Sequence, residues 1–159
     1  MTSIPKEFKT TILEKNSIAD ETYEIKLARP EGFDYKAGQY MIVRISSKMT
    51  DNKAPVRALS FSSSPNNKDF LSTCFRLSET DFKKNLIEKE TEVIIRGPLG
   101  KFTLPENSNK PIVMIAGGVG IVPFVGILKY LTEEKSSQIV QLIYTDKSID
   151  RMAYLKDIK

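Results

Sequence analysis

The chain has no histidine and a single cysteine, Cys74, among 159 residues. Without histidine there is no Ser–His–Asp or Cys–His nucleophilic site, no imidazole proton shuttle and no imidazole metal ligand. One cysteine cannot close an intrachain disulfide or build a cysteine-rich zinc or iron–sulfur site. Cys74 lies in a strand-like run and reads as a small buried hydrophobe. No apolar run reaches membrane-spanning length, and MTSIPKEFKT lacks the apolar stretch of a signal peptide. The cytoplasm is the expected location. Charge of one sign is also in short supply. The net charge is +4, and the 28% of charged residues are mixed along the chain, as in KEFK, EKNS, DFKKN and EEKS. Such mixing describes a solvated surface and speaks against a nucleic-acid partner. The 40% of apolar residues is enough for one soluble domain or one and a half small ones.

What is present begins as short strands. In TYEIKL, Tyr23, Ile25 and Leu27 alternate with Thr22, Glu24 and Lys26. GQYMIVRIS is apolar over Tyr40 to Val43, as in a strand buried on both faces. FLSTCFRL places Leu71, Thr73, Phe75 and Leu77 on one face, and EVIIRG gives another strand. The turn-rich segments RPEGFD, SSKMTDNKAP, SSSPNNKD and GPLG separate them. This spacing predicts an antiparallel barrel or sandwich. DFKKNLIEK predicts one helix, with Phe82, Leu86 and Ile87 on a shared face. The pattern changes after the polar, proline-bounded LPENSNKP. PIVMIAGG reads as a parallel strand buried on both faces. VPFVGILKYLTEE reads as a helix with Pro123 in its first turn. QIVQLIY is a second strand, and DRMAYLKDI reads as the start of a second helix. Two strands leave such a lobe unfinished.

Two segments can carry chemistry. AGGVGIVPF joins a strand to a helix. Its glycines let backbone N–H groups approach a phosphate at a helix N-terminus, or they serve only a tight strand-to-helix turn. In RALSFSSSP, Arg57 can grip a phosphate through its planar fork, and Ser60 can donate or accept one hydrogen bond. The same residues can also be an exposed arginine followed by a serine-rich turn. RGPLGKFTL is a tight bend.

In this order, R-x-x-S, GPLGKF and AGGVGIVPF resemble the ferredoxin–NADP reductase family of flavoenzymes. YKAGQY, FRLSETDFKKNL and YTDKSIDRMAYLKDI extend the resemblance from about residue 8 to the end of the chain. It implies a six-stranded antiparallel Greek-key flavin-binding barrel over 1–105. A partial Rossmann-like parallel α/β lobe, the first part of an NAD(P)-binding domain, is implied over 110–159. It further implies FAD as cofactor and NAD(P)H as substrate. Hydride would pass to the flavin N5, and electrons to a separate acceptor such as ferredoxin or another iron–sulfur protein. By the resemblance, Arg57 contacts a flavin phosphate, Ala58 and Leu59 lie along the flavin, and Ser60 is the catalytic residue beside N5. Arg76, Leu77, Thr80, Phe82 and Lys83 line the FAD phosphate and ribose. Gly117, Gly118, Val119 and Gly120 cradle the dinucleotide pyrophosphate, and Asp146 and Lys147 read its adenosine ribose.

The sequence departs from the family's pattern in three places. Leu59 replaces a stacking aromatic, for which Phe61 is expected to compensate by strand alternation. Val119 and Val122 stand where threonines are common. The nicotinamide-pocket segments that the resemblance implies are expected beyond the last of the 159 residues. Asp146 favours NAD by bonding the 2′-hydroxyl, whereas Lys147 and Ser148 suit a 2′-phosphate. The missing histidine agrees with hydride transfer, which needs orientation more than side-chain acid–base help. The alternative is a non-catalytic flavin-binding module completed by a partner.

Overall fold

The computed structural model describes residues 6–47, 55–105 and 110–158. The first unit contains β1 (Lys6–Ala19), β2 (Thr22–Ala28), β3 (Tyr40–Arg44), β4 (Val56–Ser60), β5 (Phe70–Arg76), α1 (Asp81–Glu88) and β6 (Glu92–Leu99). The strands form one six-stranded sheet in the order β4-β3-β6-β1-β2-β5, and every pairing is antiparallel. β1 holds the sheet together. Its first half, Lys6 to Thr11, pairs with β6, and its second half, from Ile12, pairs with β2. A register shift between Ile12 and Glu14 changes which face points inward. That shift explains why β1 carries no clean alternation in the sequence.

Alternation does place the core. Ile25 and Leu27 of β2, Met41 and Val43 of β3 and Val93 and Ile95 of β6 point inward and are buried. Phe82 and Leu86 of α1 close one end of this cluster. Burying each such side chain contributes about 1.5–3 kcal/mol. β3 differs from its sequence reading. Tyr40 and Ile42 are only half-buried, so this strand has one core face instead of two. β5 differs in the opposite sense, because Leu71 through Phe75 are all buried. One face packs on the sheet core, while Cys74 packs against the second unit.

The sheet is open, where the sequence predicts a barrel or sandwich. β4 and β5 are its two edges and share no ladder. They meet just beyond β4, where the Ser62 N–H donates to the Ser72 carbonyl at 2.8 Å. The Ser62 and Ser72 hydroxyls lie 2.7 Å apart at the same point. Residues of both edges line a cleft beside this contact.

The second unit is β7 (Ile112–Gly117), a 3₁₀ turn over Gly118–Ile121, α2 (Val122–Glu133) and β8 (Val140–Thr145). β7 and β8 are parallel, with Ile112 opposite Val140 and Gly117 opposite Thr145. Pro123 sits in the first turn of α2, as expected. α2 packs closely on the first unit: a Cβ on Gly126 would lie 2.6 Å from the Phe61 carbonyl oxygen. Two sequence expectations fail here. β7 is covered on one face only, by α2, and Val113 and Ile115 on the other face are 57% and 71% exposed. DRMAYLKDI enters on a 3₁₀ turn over Ile149–Arg151 and continues in further turns, where the sequence suggested an α-helix. In place of a helix, this segment folds back onto the sheet unit. Tyr154 is buried there at φ +59°, and its hydroxyl donates to Glu24 at 2.8 Å.

Candidate functional site

The two edge strands of the sheet line a cleft of about 330 Å³. Arg57, Ala58, Leu59 and Ser60 of β4 line one wall, and Cys74, Phe75 and Arg76 of β5 line the other. Lys83 of α1 reaches the cleft from one side, and Val119 and Val122 reach it from the second unit. Seven of the residues given a cofactor or catalytic role from the sequence therefore meet in one place: Arg57, Ala58, Leu59, Ser60, Arg76, Lys83 and Val119. They come from separate elements and are brought together only by the fold of the sheet and the docking of α2.

The charged side chains that line the cleft are all cationic, and one of them, Arg76, is paired with Asp146 behind the wall. Three cationic side chains line it, and no acidic residue does among the described residues. Burial lowers the Lys83 ammonium below the ordinary lysine range, and the neighbouring Arg57 charge lowers it further. Arg57 donates to the Val56 carbonyl at 2.7 Å, and its guanidinium stands 5.2 Å from the centre of the Phe82 ring. Phe82 is thus the floor beneath Arg57, 1% exposed, and is not itself a lining residue.

Arg76 is held from the second unit. Its Nη1 and Nη2 donate to Asp146 Oδ1 and Oδ2 at 3.2 and 2.6 Å, and Nη2 also donates to the Arg151 carbonyl at 2.9 Å. The Arg76 Nε–H is buried without a hydrogen-bond partner. Hydrogen bonding to Arg76 comes first among the causes that hold the Asp146 carboxyl below the usual carboxylate range.

The remaining predicted residues fall around this centre. The Leu77 N–H donates to the Glu21 carbonyl at 2.6 Å. Thr80 is the N-cap residue of α1, with its hydroxyl 3.2 Å from that of Ser78. Gly117 ends β7, and Gly118 opens the 3₁₀ turn at φ +53°, a backbone region open to glycine at little cost. Space for a Cβ is free at Gly117 and Gly120. Lys147 is exposed, and its N–H donates to Asp146 Oδ1 at 2.7 Å.

Phe61 does not compensate for Leu59. It is fully buried, with its ring centre 4.1 Å from that of Tyr35 and 5.9 Å from that of Phe33. β4 ends at Ser60, so the alternation that would have aimed Phe61 beside Leu59 has already stopped. Cys74 and Phe75 line the cleft without having been assigned to it. The signal for them was β5 itself: a strand buried on both faces must pack its second face against something. Burial pushes the Cys74 thiol up to about 12. A larger cleft of about 520 Å³, with Asp34, Lys36, Lys68 and Tyr130 on its walls, contains none of the predicted residues.

No protein-family model matches the chain. It is similar to the reductase component of propane 2-monooxygenase from Rhodococcus jostii (strain RHA1), with 23% identity over 156 residues, covering 96% of this chain and 42% of the relative. It is also similar to the electron transfer component of anthranilate 1,2-dioxygenase from Acinetobacter baylyi (strain ATCC 33305 / BD413 / ADP1). There the identity is 33% over 115 residues, covering 70% of this chain and 32% of the relative. The chain therefore spans less than half the length of these relatives, both of which are oxidoreductases. Among solved structures, a mutant ferredoxin–NADP⁺ reductase from Plasmodium falciparum superposes with a TM-score of 0.83 at 20% identity, covering 96% of this chain and 68% of that one. The flavohem-like FAD/NAD-binding domain of nitric oxide dioxygenase from Vibrio cholerae O1 biovar El Tor superposes with a TM-score of 0.79 at 21% identity. It covers 94% of this chain and 66% of that one. The chain thus resembles the reductase components of oxygenases in sequence and has the ferredoxin–NADP reductase-like fold.

Proposed function

We propose that the chain binds FAD in the cleft between β4 and β5 and takes part in NAD(P)H oxidation, passing electrons to a separate redox protein. The observation that carries this reading is the cleft lined by Arg57 and Lys83, together with Arg76, whose charge Asp146 pairs from behind the wall. Such a site suits a pyrophosphate. The residues present fit the cofactor: Arg57 and Lys83 stand together on the cleft wall, and a bound phosphate would relieve the repulsion between them. The likeness to oxygenase reductase components, and to a domain named for FAD and NAD binding, supports the same reading.

Bound FAD would supply the chemistry, accepting hydride from nicotinamide and releasing electrons singly. The protein's part is to bind and orient. Arg57 and Lys83 hold the phosphates, Leu59 offers an apolar surface to the ring, and Ser60 supplies a hydrogen bond at the reacting edge. The glycine turn from Gly117 to Gly120 approaches the dinucleotide. In this reading 1–105 is the flavin-binding domain and 110–159 the first part of the nucleotide-binding domain. The setting is cytoplasmic, in keeping with a single buried thiol. No helix of the described residues is long and apolar enough to cross a membrane.

A second reading is favoured by one observation. Val113, Ile115 and Ile143, on the uncovered face of β7 and β8, are each about half exposed or more. A flavin-binding module that works only when further protein covers this face would show such a patch.

Purifying the chain and identifying any released chromophore tests the first reading. Arg57→Ala is expected to lose FAD far more readily than Lys101→Ala. Equal retention sinks the phosphate role of Arg57. Oxidation of NADH or NADPH with an artificial acceptor separates the two readings, because the module alone binds FAD without turnover.

A further inference from the structure

We propose that Asp146 is a positioning residue for Arg76, fixing its guanidinium in the wall of the flavin cleft, and that it does not read a nucleotide ribose. The proposal rests on the flavin reading above and deepens it. Asp146 stands just past the end of β8, where an acid would meet the adenosine end of a dinucleotide. Its side chain turns elsewhere. Both oxygens accept from Arg76, at 3.2 and 2.6 Å, and Oδ1 also accepts the Lys147 N–H at 2.7 Å. Only 4% of the side chain is exposed. A carboxylate engaged in this way has little capacity left for a ribose hydroxyl.

Arg76 shows the other half of the arrangement. It comes from β5, in the sheet unit, and lines the cleft. Every acceptor found for its guanidinium belongs to the second unit: Asp146, and the Arg151 carbonyl at 2.9 Å. Arg151 is itself tied back to the sheet unit, donating to Glu21 at 2.7 Å. The guanidinium is therefore held at two nitrogens. Its Nε–H remains buried without a hydrogen-bond partner. Arginine loses rotamer freedom when it grips an anion, and holding the fork beforehand reduces that loss. Asp146 also stands beside the glycine turn, its Oδ2 3.7 Å from where a Cβ on Gly118 would lie. One ion pair thus sets the cleft wall and the turn relative to each other.

The test uses the full chain with two probes. FAD affinity is read by flavin fluorescence, and AMP and 2′-phospho-AMP affinity by calorimetry. Asp146→Asn and Arg76→Gln are each expected to weaken FAD roughly ten-fold. Because the two residues act as one unit, the double variant is expected to be no weaker than the single ones. AMP and 2′-phospho-AMP affinity should not change in Asp146→Asn. Wild-type FAD affinity in Asp146→Asn, or loss of AMP affinity with FAD retained, overturns the proposal. Arg76→Lys keeps the charge and loses the two-point pairing, so it decides the matter should Asp146→Asn fail to fold. A roughly ten-fold loss of FAD affinity supports the proposal, and unchanged affinity overturns it. Failure of the wild-type chain to bind FAD overturns the flavin reading together with this proposal. FAD binding that ignores Asp146→Asn overturns this proposal alone.

Discussion

Arg76 and Asp146, seventy positions apart in sequence, face each other through two hydrogen bonds of 3.2 and 2.6 Å. This pair joins the edge of the antiparallel sheet to the end of the parallel one. Its pH dependence follows from the direction of the Asp146 shift. The carboxyl is held low in the folded state, chiefly by Arg76. Its contribution to stability is therefore present above the ordinary carboxylate range and is lost as pH falls through the lower, folded-state value. Urea denaturation at a series of pH values should show Asp146→Asn less stable than wild type by about 1–3 kcal/mol near neutrality. The difference should shrink on acidification below the carboxylate range. A difference that stays constant with pH would show that the pair contributes nothing through its charge.

The seat of α2 depends on the smallest side chain. A Cβ on Gly126 would come within 2.6 Å of the Phe61 carbonyl oxygen and 3.1 Å of that of Ser63. Gly126→Ala must push the helix off the sheet unit, and is expected to lose about 1–3 kcal/mol. Gly120→Ala, where a Cβ meets nothing within 4 Å, is the control and should change stability by less than about 0.5 kcal/mol. Equal stability of the two variants would show that α2 is not closely seated.

Cys74 should be inert in the native protein. Its thiol is buried and pushed up to about 12, first by desolvation and then by Glu24. A colorimetric thiol reagent at neutral pH should label nothing in the folded chain and one thiol per chain after unfolding. Rapid labelling of the native protein would contradict its place between the two units.

Lys83 is stabilising for a ligand and unfavourable without one. Burial, and then Arg57, lower its ammonium below the ordinary range, so the flavin-free fold disfavours its charge. Below the folded-state value the charged amine opposes folding, and that opposition fades as pH rises through it. Lys83→Gln should raise the melting temperature of the flavin-free chain, by less than about 1 kcal/mol in stability. The same variant should bind FAD more weakly. A variant that is both less stable and equally tight for FAD would remove Lys83 from the cation cluster.

Much of the sheet was legible because side-chain alternation is a local property. TYEIKL and DFKKNLIEK announced β2 and α1, with Ile25, Leu27, Phe82 and Leu86 on their buried faces. β1 was not legible, because its register shift between Ile12 and Glu14 erases the period of two. Val113 and Ile115 misled for a related reason. An apolar run predicts burial on two faces, yet whether a face is covered depends on packing beyond the run, and here one face stays exposed. Phe61 misled because alternation was carried one residue past the end of its strand.

For the candidate site, the sequence by itself determined the ingredients. It provided an arginine and serine on an edge strand, a glycine turn between strand and helix, and no histidine or paired cysteines for other chemistries. Composition and local order settle such matters, because they depend on which groups exist and on neighbours within a few residues. Only the tertiary structure decided which of these groups meet. The open gap between β4 and β5, the cation cluster within it and the turning of Asp146 toward Arg76 all join residues far apart in the chain. Their geometry follows from the twist of the sheet and the close seat of α2, which no local pattern encodes.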